Sequence, residues 1–511
     1  MTSKFTHFLR FLRWGRILAR NGALLGMERD TNVPRAFRRI AWIARLGSFP
    51  PNPPAYATAF RAIGPAAIKL GQTLATRPDL VGEAAARDLL QLQDNLPSLP
   101  FAKIKTVIET TLGKPVEELF ASIDPVPVGA ASIAQVHKAV TPEGKIVAIK
   151  VLRPGVTEKF ASDIETYEWL AAHAAARGGE LARLRPREVI AIFKQWTLRE
   201  LDLRREASSA SELAASMSAE PGYFVPAIDW SRTGRRVLTL EWVDGVKLTD
   251  HAALAAAGHD RSELARTLVN AFLVQAIGEG FFHADLHQGN LFAMPDGRIG
   301  AIDFGIMGRV NRQARLWLAE ILHGLITGNY RRVAEIHFDA QYVPAHHNID
   351  DFTTALRAVG EPIRGVRVKD ISIGNMLDGL FAITREFDMP TQPHLLLLQK
   401  TMVMVEGVAS SLDPDINMWE VSAPFVADWI RNELGPEAMI AGKLQRLAKT
   451  LADLPNLVRR IEAAYPKPGA APIGAPLPEI DTGGRWAGWG YLIVAIIAGA
   501  AGAAGASFFQ I

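Results

Sequence analysis

The sequence predicts an α+β fold in which β-rich hairpins lie between long helical segments. The β-rich runs 133–140 and 146–154 flank a turn at Pro142-Glu143-Gly144, and two apolar runs flank Pro295-Asp296-Gly297. Turns of this kind between β-rich runs are typical of hairpins. Most of the remaining chain has apolar residues at helical spacing. Because 511 residues exceed what one core holds, we expect two to three structural units.

The charge of the chain is unevenly distributed. Ten basic residues and two acids lie within residues 1–50, so this end carries +8 within a total of +3. A basic end on a slightly acidic body favours an anionic surface as partner and argues against nucleic acid. The chain has no cysteines, which excludes disulfides, thiolate metal sites and a cysteine nucleophile.

Residues 4–25 predict a basic amphipathic helix, in which aromatic and aliphatic residues recur at helical spacing among four arginines. This composition suits the headgroup layer of an anionic bilayer. The alternative is a helix that packs on the protein's own surface.

Residues 56–125 predict several helices, and Lys69-Leu70-Gly71-Gln72 lies within one of them. A glycine inside a helix costs about 1 kcal/mol relative to alanine. Gly71 therefore indicates a close approach of another backbone segment.

Val147-Ala148-Ile149-Lys150 has the form of the kinase strand whose lysine contacts the α- and β-phosphates of ATP. The loop ahead of this hairpin is expected to cover the phosphates, and it is alanine-rich where kinases have glycines. Small side chains let the backbone approach an anion, although alanine restricts the loop more than glycine does. The candidate phosphate-covering residues are Val128, Gly129, Ala130, Ala131 and Ser132.

Residues 158–218 predict further helix and carry Glu200, Asp202 and Glu206. One carboxylate is expected to pair with Lys150. Since positions 200 and 206 of one helix lie about 120° apart, the two glutamates need not share a partner. The alternative is that all three acids are ordinary charges on a solvated helix.

Residues 236–243 predict a strand that links two lobes of a kinase-like fold. Backbone groups near Glu241 and Val243 are expected to contact adenine.

The stretch 280–305 contains His283, Asp285 and Asn290 as H-x-D-x-x-x-x-N, followed by Asp303-Phe304-Gly305. Phosphoryl transfer requires a carboxylate that orients the nucleophile, for which Asp285 is the candidate. It also requires oxygen ligands for Mg²⁺, which Asn290 and Asp303 supply. The sequence therefore predicts an enzyme of phosphoryl transfer or ATP hydrolysis with ATP and Mg²⁺ as cofactors.

The C-terminal part predicts helices, then a proline-rich linker from Tyr465 to Asp481, then an uncharged segment, Trp486–Ile511. Twenty-odd helical residues span the roughly 30 Å of a hydrocarbon core. We therefore expect a transmembrane helix, with a peripheral or re-entrant tail as the alternative. Because the basic residues precede this segment, the catalytic body is expected on the cytoplasmic side of the cell inner membrane. Helices are expected at 262–278, 313–327, 350–359, 374–386, 393–411 and 423–433.

Seven motifs together resemble the UbiB family of atypical kinase-like proteins, which support ubiquinone biosynthesis. The resemblance runs from about residue 60 to about residue 435. The motifs are KLGQ (69–72), ASIAQVH (131–137), VAIK (147–150), ELDLRREA (200–207), HADLHQGN (283–290), DFG (303–305) and LLLLQKTMVMVEG (395–407).

The resemblance implies a two-lobed protein-kinase-like fold whose helical KxGQ extension lies across the active site, where a protein substrate would otherwise dock. It also implies MgATP binding, conditional ATPase activity and membrane association near lipid quinone precursors. Carried over by position, Lys150 pairs with Glu206, while Glu200 and Asp202 face Lys69. Together with Gln72, these last three are the expected regulatory residues.

Two positions depart from the family pattern. Gly129 stands where alanine or serine is usual, which is expected to loosen phosphate binding, and Gln288 stands where proline is common.

The expected segments divide the chain into six parts. They are a basic N-terminal segment (1–55), the KxGQ extension (56–125), a kinase-like N-lobe (126–243), a kinase-like C-lobe (244–440), a helix with the linker (441–485) and the membrane span (486–511).

Three functions fit these observations. The first is a membrane-bound ATPase or kinase of small molecules or lipids that serves ubiquinone synthesis. The second is a protein kinase, against which the missing glycine loop and the KLGQ motif argue. The third is a nucleotide-binding scaffold without turnover. The expected partners are anionic membrane lipids, ubiquinone-precursor lipids and other enzymes of ubiquinone biosynthesis.

Overall fold

The computed structural model describes residues 4–25, 39, 42–47, 51, 53–75, 81–92, 98–131, 133–176, 186–361, 382–389 and 393–434. These residues form two compact units. The first comprises the described residues within Met1–Ser208 and Ala227–Trp242, and the second those within Ser209–Pro226 and Val243–Gly484.

The first unit contains a five-stranded antiparallel sheet with helices before and after its central hairpin. Strands β1 (Ser122–Ile123), β3 (Ala134–Val140), β4 (Ile146–Leu152) and β6 (Val237–Glu241) lie in that order, and β2 (Gly129–Ala130) also pairs with β3. The predicted hairpin is confirmed as β3 and β4, with Ala134 opposite Leu152 and Val140 opposite Ile146. The helices are Lys4–Arg20, Tyr56–Ile63, Pro65–Ala75, Glu83–Leu89, Phe101–Leu112, Val116–Leu119, Val156–Ala176, Pro186–Glu200 and the start of Leu203–Ser216.

Two helices end where the sequence predicted continuity. Gly64 adopts φ +135°, a conformation open mainly to glycine, and Pro65 has no amide hydrogen to continue the preceding helix. The helical pattern that runs through KLGQ from residue 56 is therefore divided into two helices, Tyr56–Ile63 and Pro65–Ala75. The helix that ends at Glu200 and the one that begins at Leu203 are likewise separate.

Other parts of the chain pack tightly against Gly71, as the sequence predicted for a glycine inside a helix. The neighbours are side chains, not the backbone expected from the sequence. A Cβ at position 71 would overlap Leu92 Cδ1 and lie 2.7 Å from Phe60 Cδ1.

The second unit contains two small sheets and a set of helices. Strands β7 (Val246–Lys247), β9 (Leu291–Ala293), β10 (Ile299–Ala301) and β5 (Tyr223–Phe224) form one sheet, and β8 (Phe281–His283) pairs with β11 (Met307–Arg309). The second predicted hairpin is confirmed, because β9 and β10 are antiparallel with Leu291 opposite Ala301. The helices are His251–Ala256, Arg261–Leu273, Arg312–Thr327, Tyr330–Asp339, Ile349–Gly360, Pro393–Leu412 and Met418–Leu434, with a π-helical turn at Val274–Glu279.

Short polar side chains fix where five of these helices begin. At each position the side chain accepts a hydrogen bond from a backbone N–H of the first turn, which otherwise lacks a partner. The capping residues are Asp250, Asp260, Asn311, Asn329 and Asn348.

The helix Tyr330–Asp339 was not predicted from the sequence, and the helix expected at 423–433 begins earlier, at Met418. Most of the helix expected at 374–386 lies outside the described residues, as do the linker and the expected span Trp486–Ile511. Among the helices that the structure describes, none is both long and apolar enough to cross a bilayer.

Asp163 is a buried carboxylate in the core of the first unit. It is 6% exposed, and within the described residues its Oδ2 has no hydrogen-bond partner. Burial raises the pKa of Asp163 to about 6, although the charges of Lys159, Arg10 and Arg13 act in the opposite direction. The folded state therefore holds the proton more tightly than the unfolded chain, and ionisation of Asp163 above about pH 6 costs stability.

We expect Asp163→Asn to stabilise the protein at pH 7.5 by on the order of 3 kcal/mol, since each unit of pKa shift corresponds to about 1.4 kcal/mol. The gain should shrink as the pH falls through 6, because Asp163 then becomes neutral in the folded wild type. Urea unfolding at pH 7.5 and pH 5 measures this, with Asp244→Asn on the exposed surface as control. An equal or lower stability of Asp163→Asn at pH 7.5 would contradict the expectation.

Candidate functional site

The first unit holds Lys150 and Glu206 in a largely buried ion pair. Lys150 lies on β4, with Val136 opposite it on one side and Leu238 on the other, so its backbone is fixed within the sheet. Its Nζ lies 2.7 Å from Oε1 of Glu206, which is in the first turn of its helix. The two side chains are 14% and 7% exposed. The ion pair thereby holds the ammonium group in one place, as a lysine that binds phosphate requires.

The alanine-rich loop forms a short hairpin at the edge of this sheet. Gly129 and Ala130 pair with Val136 and Gln135 of β3, and Arg153 Nε donates to the carbonyl of Ala131 at 3.0 Å. Gly129 has an ordinary backbone conformation, and a Cβ there would meet open space. The backbone therefore does not require glycine where the family usually has alanine or serine. Ser132 lies outside the described residues.

Glu241 and Val243 lie at the boundary between the two units, which falls after Trp242. The backbone N–H of Glu241 donates to the carbonyl of Ala227, and its carboxylate accepts from the N–H of Ala227 at 3.3 Å. Val243 is buried in the second unit. Contact of these residues with adenine stays a prediction.

The KLGQ residues bind neighbouring parts of the first unit. Lys69 Nζ donates to Glu200 Oε1, and the two side chains are 27% and 22% exposed. Gln72 Nε2 donates to the carbonyl of Leu92 at 3.1 Å. The structure thus places Lys69 opposite Glu200, as the resemblance implied.

Asp202, which was also expected to face Lys69, forms its ion pair with Arg204. Two hydrogen bonds of 2.9 and 2.7 Å join Arg204 to the carboxylate. They hold the pKa of Asp202 below its usual value. The reason is local: Asp202 lies in the break between two helices, where Arg204 of the next turn reaches it.

In the second unit, His283 positions the backbone of Asp285. The histidine ends β8, is fully buried and packs edge-on against Phe304, with ring centres 5.6 Å apart. Its pKa is lowered, mainly by burial, although the nearby charges of Asp303 and Asp285 act in the opposite direction. The N–H of Asp285 donates to His283 Nδ1 at 3.1 Å, so Nδ1 carries no proton and the ring is neutral.

Asn290 and Asp303 lie at the same end of the β9–β10 hairpin. Leu291 and Ala301 are paired, Asn290 directly precedes Leu291, and Asp303 follows Ala301 by two residues. The carbonyl of Asn290 accepts from the N–H of Ile302 between them. Asn290 Nδ2 donates to the carbonyl of Asp285 at 3.3 Å, which leaves the amide oxygen as the atom suited to a cation. Asp303 Oδ1 accepts from the N–H of Gly305 at 3.0 Å. These two residues would hold Mg²⁺, because carboxylate and amide oxygens are the ligands it prefers.

The carboxylate of Asp285 is partly exposed, at 30%, and lies 3.8 Å from His287 Nε2. A carboxylate that is reachable from solvent, and whose backbone is fixed on both sides, suits the orientation of a hydroxyl or water nucleophile.

Three polar residues that support this loop were missed in the sequence. Gln275 Oε1, in the π-helical turn, accepts from the N–H of His283 at 3.0 Å. Thr401 Oγ1 donates to the carbonyl of Ala284 at 3.4 Å, and Gln288 Nε2 donates to Ser411 Oγ at 3.0 Å. The signal that marks Gln275 is a single polar side chain within the apolar run 271–277, whereas Thr401 directly follows Gln399 and Lys400 and carries no such signal. A buried polar group of this kind requires a partner.

Comparison with known protein families matches the ABC1 atypical kinase-like domain to residues 91–337 and the UbiB helical domain to residues 356–417. Among curated proteins, the chain is 38% identical to a probable protein kinase UbiB of Marinobacter nauticus, over 80% of this chain and 75% of that protein. It is also 38% identical to the probable protein kinase UbiB of Azotobacter vinelandii, over 83% and 79%.

Among solved structures, the chain is similar to Rv3197 of Mycobacterium tuberculosis, determined as a complex with erythromycin. The identity is 25% and the TM-score 0.51, over 70% of this chain and 91% of that chain. The kinase-like fold and the family resemblance predicted from the motifs are thereby confirmed.

We expect Gln275→Leu to destabilise the protein by about 1–3 kcal/mol, because the N–H of His283 then loses its acceptor in a buried environment. Urea unfolding measures the change, and Gln313→Leu at an exposed helical position is the control. A loss for Gln275→Leu no larger than that of the control would show that this hydrogen bond does not support the loop.

Proposed function

Because the chain belongs to the UbiB family of atypical kinase-like proteins, we propose that it binds MgATP and hydrolyses it, or transfers its γ-phosphoryl group, in support of ubiquinone biosynthesis. The observation that carries this proposal is the ion pair of Lys150 with Glu206. A lysine fixed on the central strand of a sheet by a buried glutamate is the arrangement that kinases use to bind the α- and β-phosphates.

The other proposed roles follow from the chemistry of each group. Asn290 and Asp303 are the proposed ligands of Mg²⁺, which neutralises charge on the phosphates when bound. Asp285 orients the attacking hydroxyl or water. The 128–132 loop, in which residues 129–131 have small side chains, covers the phosphates.

The contact of Lys69 with Glu200 favours a restraining role for the KLGQ helix. The contact ties the KLGQ helix to the C-terminal end of helix Pro186–Glu200, and the next helix in the chain carries Glu206. Lys69 is therefore proposed to regulate turnover or nucleotide choice without binding the phosphates itself.

We expect Asp303→Asn to weaken MgATP binding at least about tenfold, since loss of a metal partner commonly costs 10- to 100-fold in affinity. Binding of ATP in EDTA should change much less, and the melting temperature without ligand should stay near that of wild type. Calorimetric titration of the full chain with ATP, with Mg²⁺ and with EDTA, measures all of these.

Asp296→Asn is the matched control, because Asp296 lies in the turn of the same hairpin and bonds Arg298. Unchanged MgATP affinity in Asp303→Asn would remove the proposed metal site.

We also propose that the chain acts at an anionic membrane, through its N-terminal helix and the segment Trp486–Ile511. The helix Lys4–Arg20 has two different faces. Trp14 and Leu18 are buried, and His7 Nδ1 lies 3.0 Å from Thr166 Oγ1. The opposite face carries exposed apolar side chains, namely Phe5 (68%), Phe8 (46%), Leu9 (48%) and Leu12 (48%).

The sequence left open whether this helix contacts a bilayer or packs on the protein's own surface, and with two such faces the helix can do both. One face packs on the protein's own helices and orients the other outward. Exposed Arg13, Arg16 and Arg20 lie beside the apolar residues. Aromatic and aliphatic side chains bordered by arginines suit the interface of an anionic bilayer.

We expect Phe8→Ser/Leu12→Ser to reduce binding to anionic liposomes at least about tenfold in a chain that ends at Asp481. Each side chain contributes roughly 1.5 kcal/mol or more when buried in lipid, and 1.4 kcal/mol corresponds to a factor of ten. Flotation with liposomes of anionic phospholipid measures binding.

The matched control is Val126→Ser/Leu198→Ser, which removes two exposed apolar side chains elsewhere in the first unit. An equal loss in this control would show that the N-terminal helix is not the membrane contact.

A further inference from the structure

His346, His347 and Asp388 bring three side chains of metal-binding types together in the second unit, and none of them belongs to the site described above. One ligand atom of each lies within 4.8 Å of the other two. Asp388 Oδ2 lies 3.4 Å from His347 Nε2 and 3.9 Å from His346 Nε2. The two rings lie against each other with centres 4.2 Å apart, so both present Nε2 to the same carboxylate oxygen.

His347 is held in place from both sides. Its backbone N–H donates to the carbonyl of Pro344, and its ring packs on the ring of Phe387 with centres 5.3 Å apart. Its Nε2 is buried and, within the part of the chain that the structure describes, has no hydrogen-bond partner. A buried ring nitrogen in this state is one that a further ligand can satisfy.

Asp388 has a backbone conformation that side chains other than glycine rarely adopt, with φ +47°. It follows the end of a helical turn, where the N–H of Met389 donates to the carbonyl of Thr384. Glycine is the usual residue at this point, so aspartate carries a conformational cost. The strain places the carboxylate beside the two histidines.

The spacing of the three atoms fits a small divalent ion. Tetrahedral Zn²⁺ bonds nitrogen and oxygen at about 2.0–2.2 Å, which separates its ligand atoms by roughly 3.4 Å. Two imidazoles and one carboxylate form a set for borderline transition metals, whereas Mg²⁺ prefers oxygen alone.

We propose that His346, His347 and Asp388 bind a divalent transition-metal ion of the Zn²⁺ class. The ion joins the loop after helix Tyr330–Asp339 to the end of the helical turn at Phe387, two segments far apart in sequence. With three protein ligands, one position stays open to water, and the exposed His346 and Asp388 give the ion access from solvent. The site stabilises the helical part of the second unit and is independent of nucleotide.

The test is titration of the metal-free full chain with ZnCl₂, in millimolar Mg²⁺ so that the oxygen ligands Asn290 and Asp303 are occupied. We expect one equivalent to bind and to raise the melting temperature. His346→Ala and Asp388→Gly should each weaken binding at least about tenfold.

The variant Asp388→Gly distinguishes a metal site from a simple ion pair between the carboxylate and the histidines. Glycine relieves the strain at φ +47°, so without zinc this variant should melt no lower than wild type, and zinc should no longer raise its melting temperature. Gln341→Gly is the matched control, because Gln341 has φ 57° at the end of the neighbouring helix and no ligand role. It should gain stability and keep its response to zinc.

The proposal is overturned if zinc binds as tightly to His346→Ala and Asp388→Gly as to wild type, or does not bind wild type below about 100 µM. It is also overturned if Asp388→Gly melts below wild type without zinc while zinc leaves wild type unchanged, since the three residues would then form only an ion pair.

Discussion

The burial of the Lys150 ammonium is the constraint on which the first unit depends. A buried charge needs an opposite charge at hydrogen-bond distance, and Glu206 supplies it at 2.7 Å. This pairing requires strand β4 between its two neighbours and a helix that begins at Leu203. That start in turn requires the preceding helix to end at Glu200, whose carboxylate binds Lys69. Two ion pairs thus fix the chain on both sides of one short break.

The second unit holds its candidate site residues in a different way, because the carboxylates of Asp285 and Asp303 are not enclosed in the core. Asp285 and Asp303 are held through their own backbones and through neighbouring N–H groups, and their side chains stay partly exposed. The rigidity comes from buried polar residues of other helices, chiefly Gln275 and Thr401. The loop that carries Asp285 is therefore positioned by hydrogen bonds from these helical segments, and the carboxylates of Asp285 and Asp303 stay partly exposed.

The sequence predicted the features that depend on neighbouring residues. Both hairpins, the strand before Trp242 and most of the helices follow from periodicity and turn residues. The motifs give Lys150, Asp285, Asn290 and Asp303 as site candidates, and their roles stay predictions. The breaks at Gly64-Pro65 and after Glu200 were missed, because the apolar pattern continues across them. The supports from Thr401 and Ser411 join segments separated by about 120 residues, and a contact of that range leaves no local signal. Gln275 lies only 8 residues from His283, and its polar side chain in an apolar run was a signal that was overlooked. Asp202 binds Arg204, a local partner two residues away that the resemblance did not indicate.

The Lys69–Glu200 and Lys150–Glu206 ion pairs differ in how strongly dissolved salt screens them. The Lys69–Glu200 side chains are 27% and 22% exposed, and those of Lys150 and Glu206 are 14% and 7% exposed. Counter-ions screen charges at a surface much more than charges in an interior. Ionic strength therefore acts on the KLGQ contact while leaving the strand lysine nearly untouched. Where ion concentrations differ from those of bulk water, the Lys69–Glu200 contact depends on the local electrolyte, and the Lys150–Glu206 pair depends on it much less.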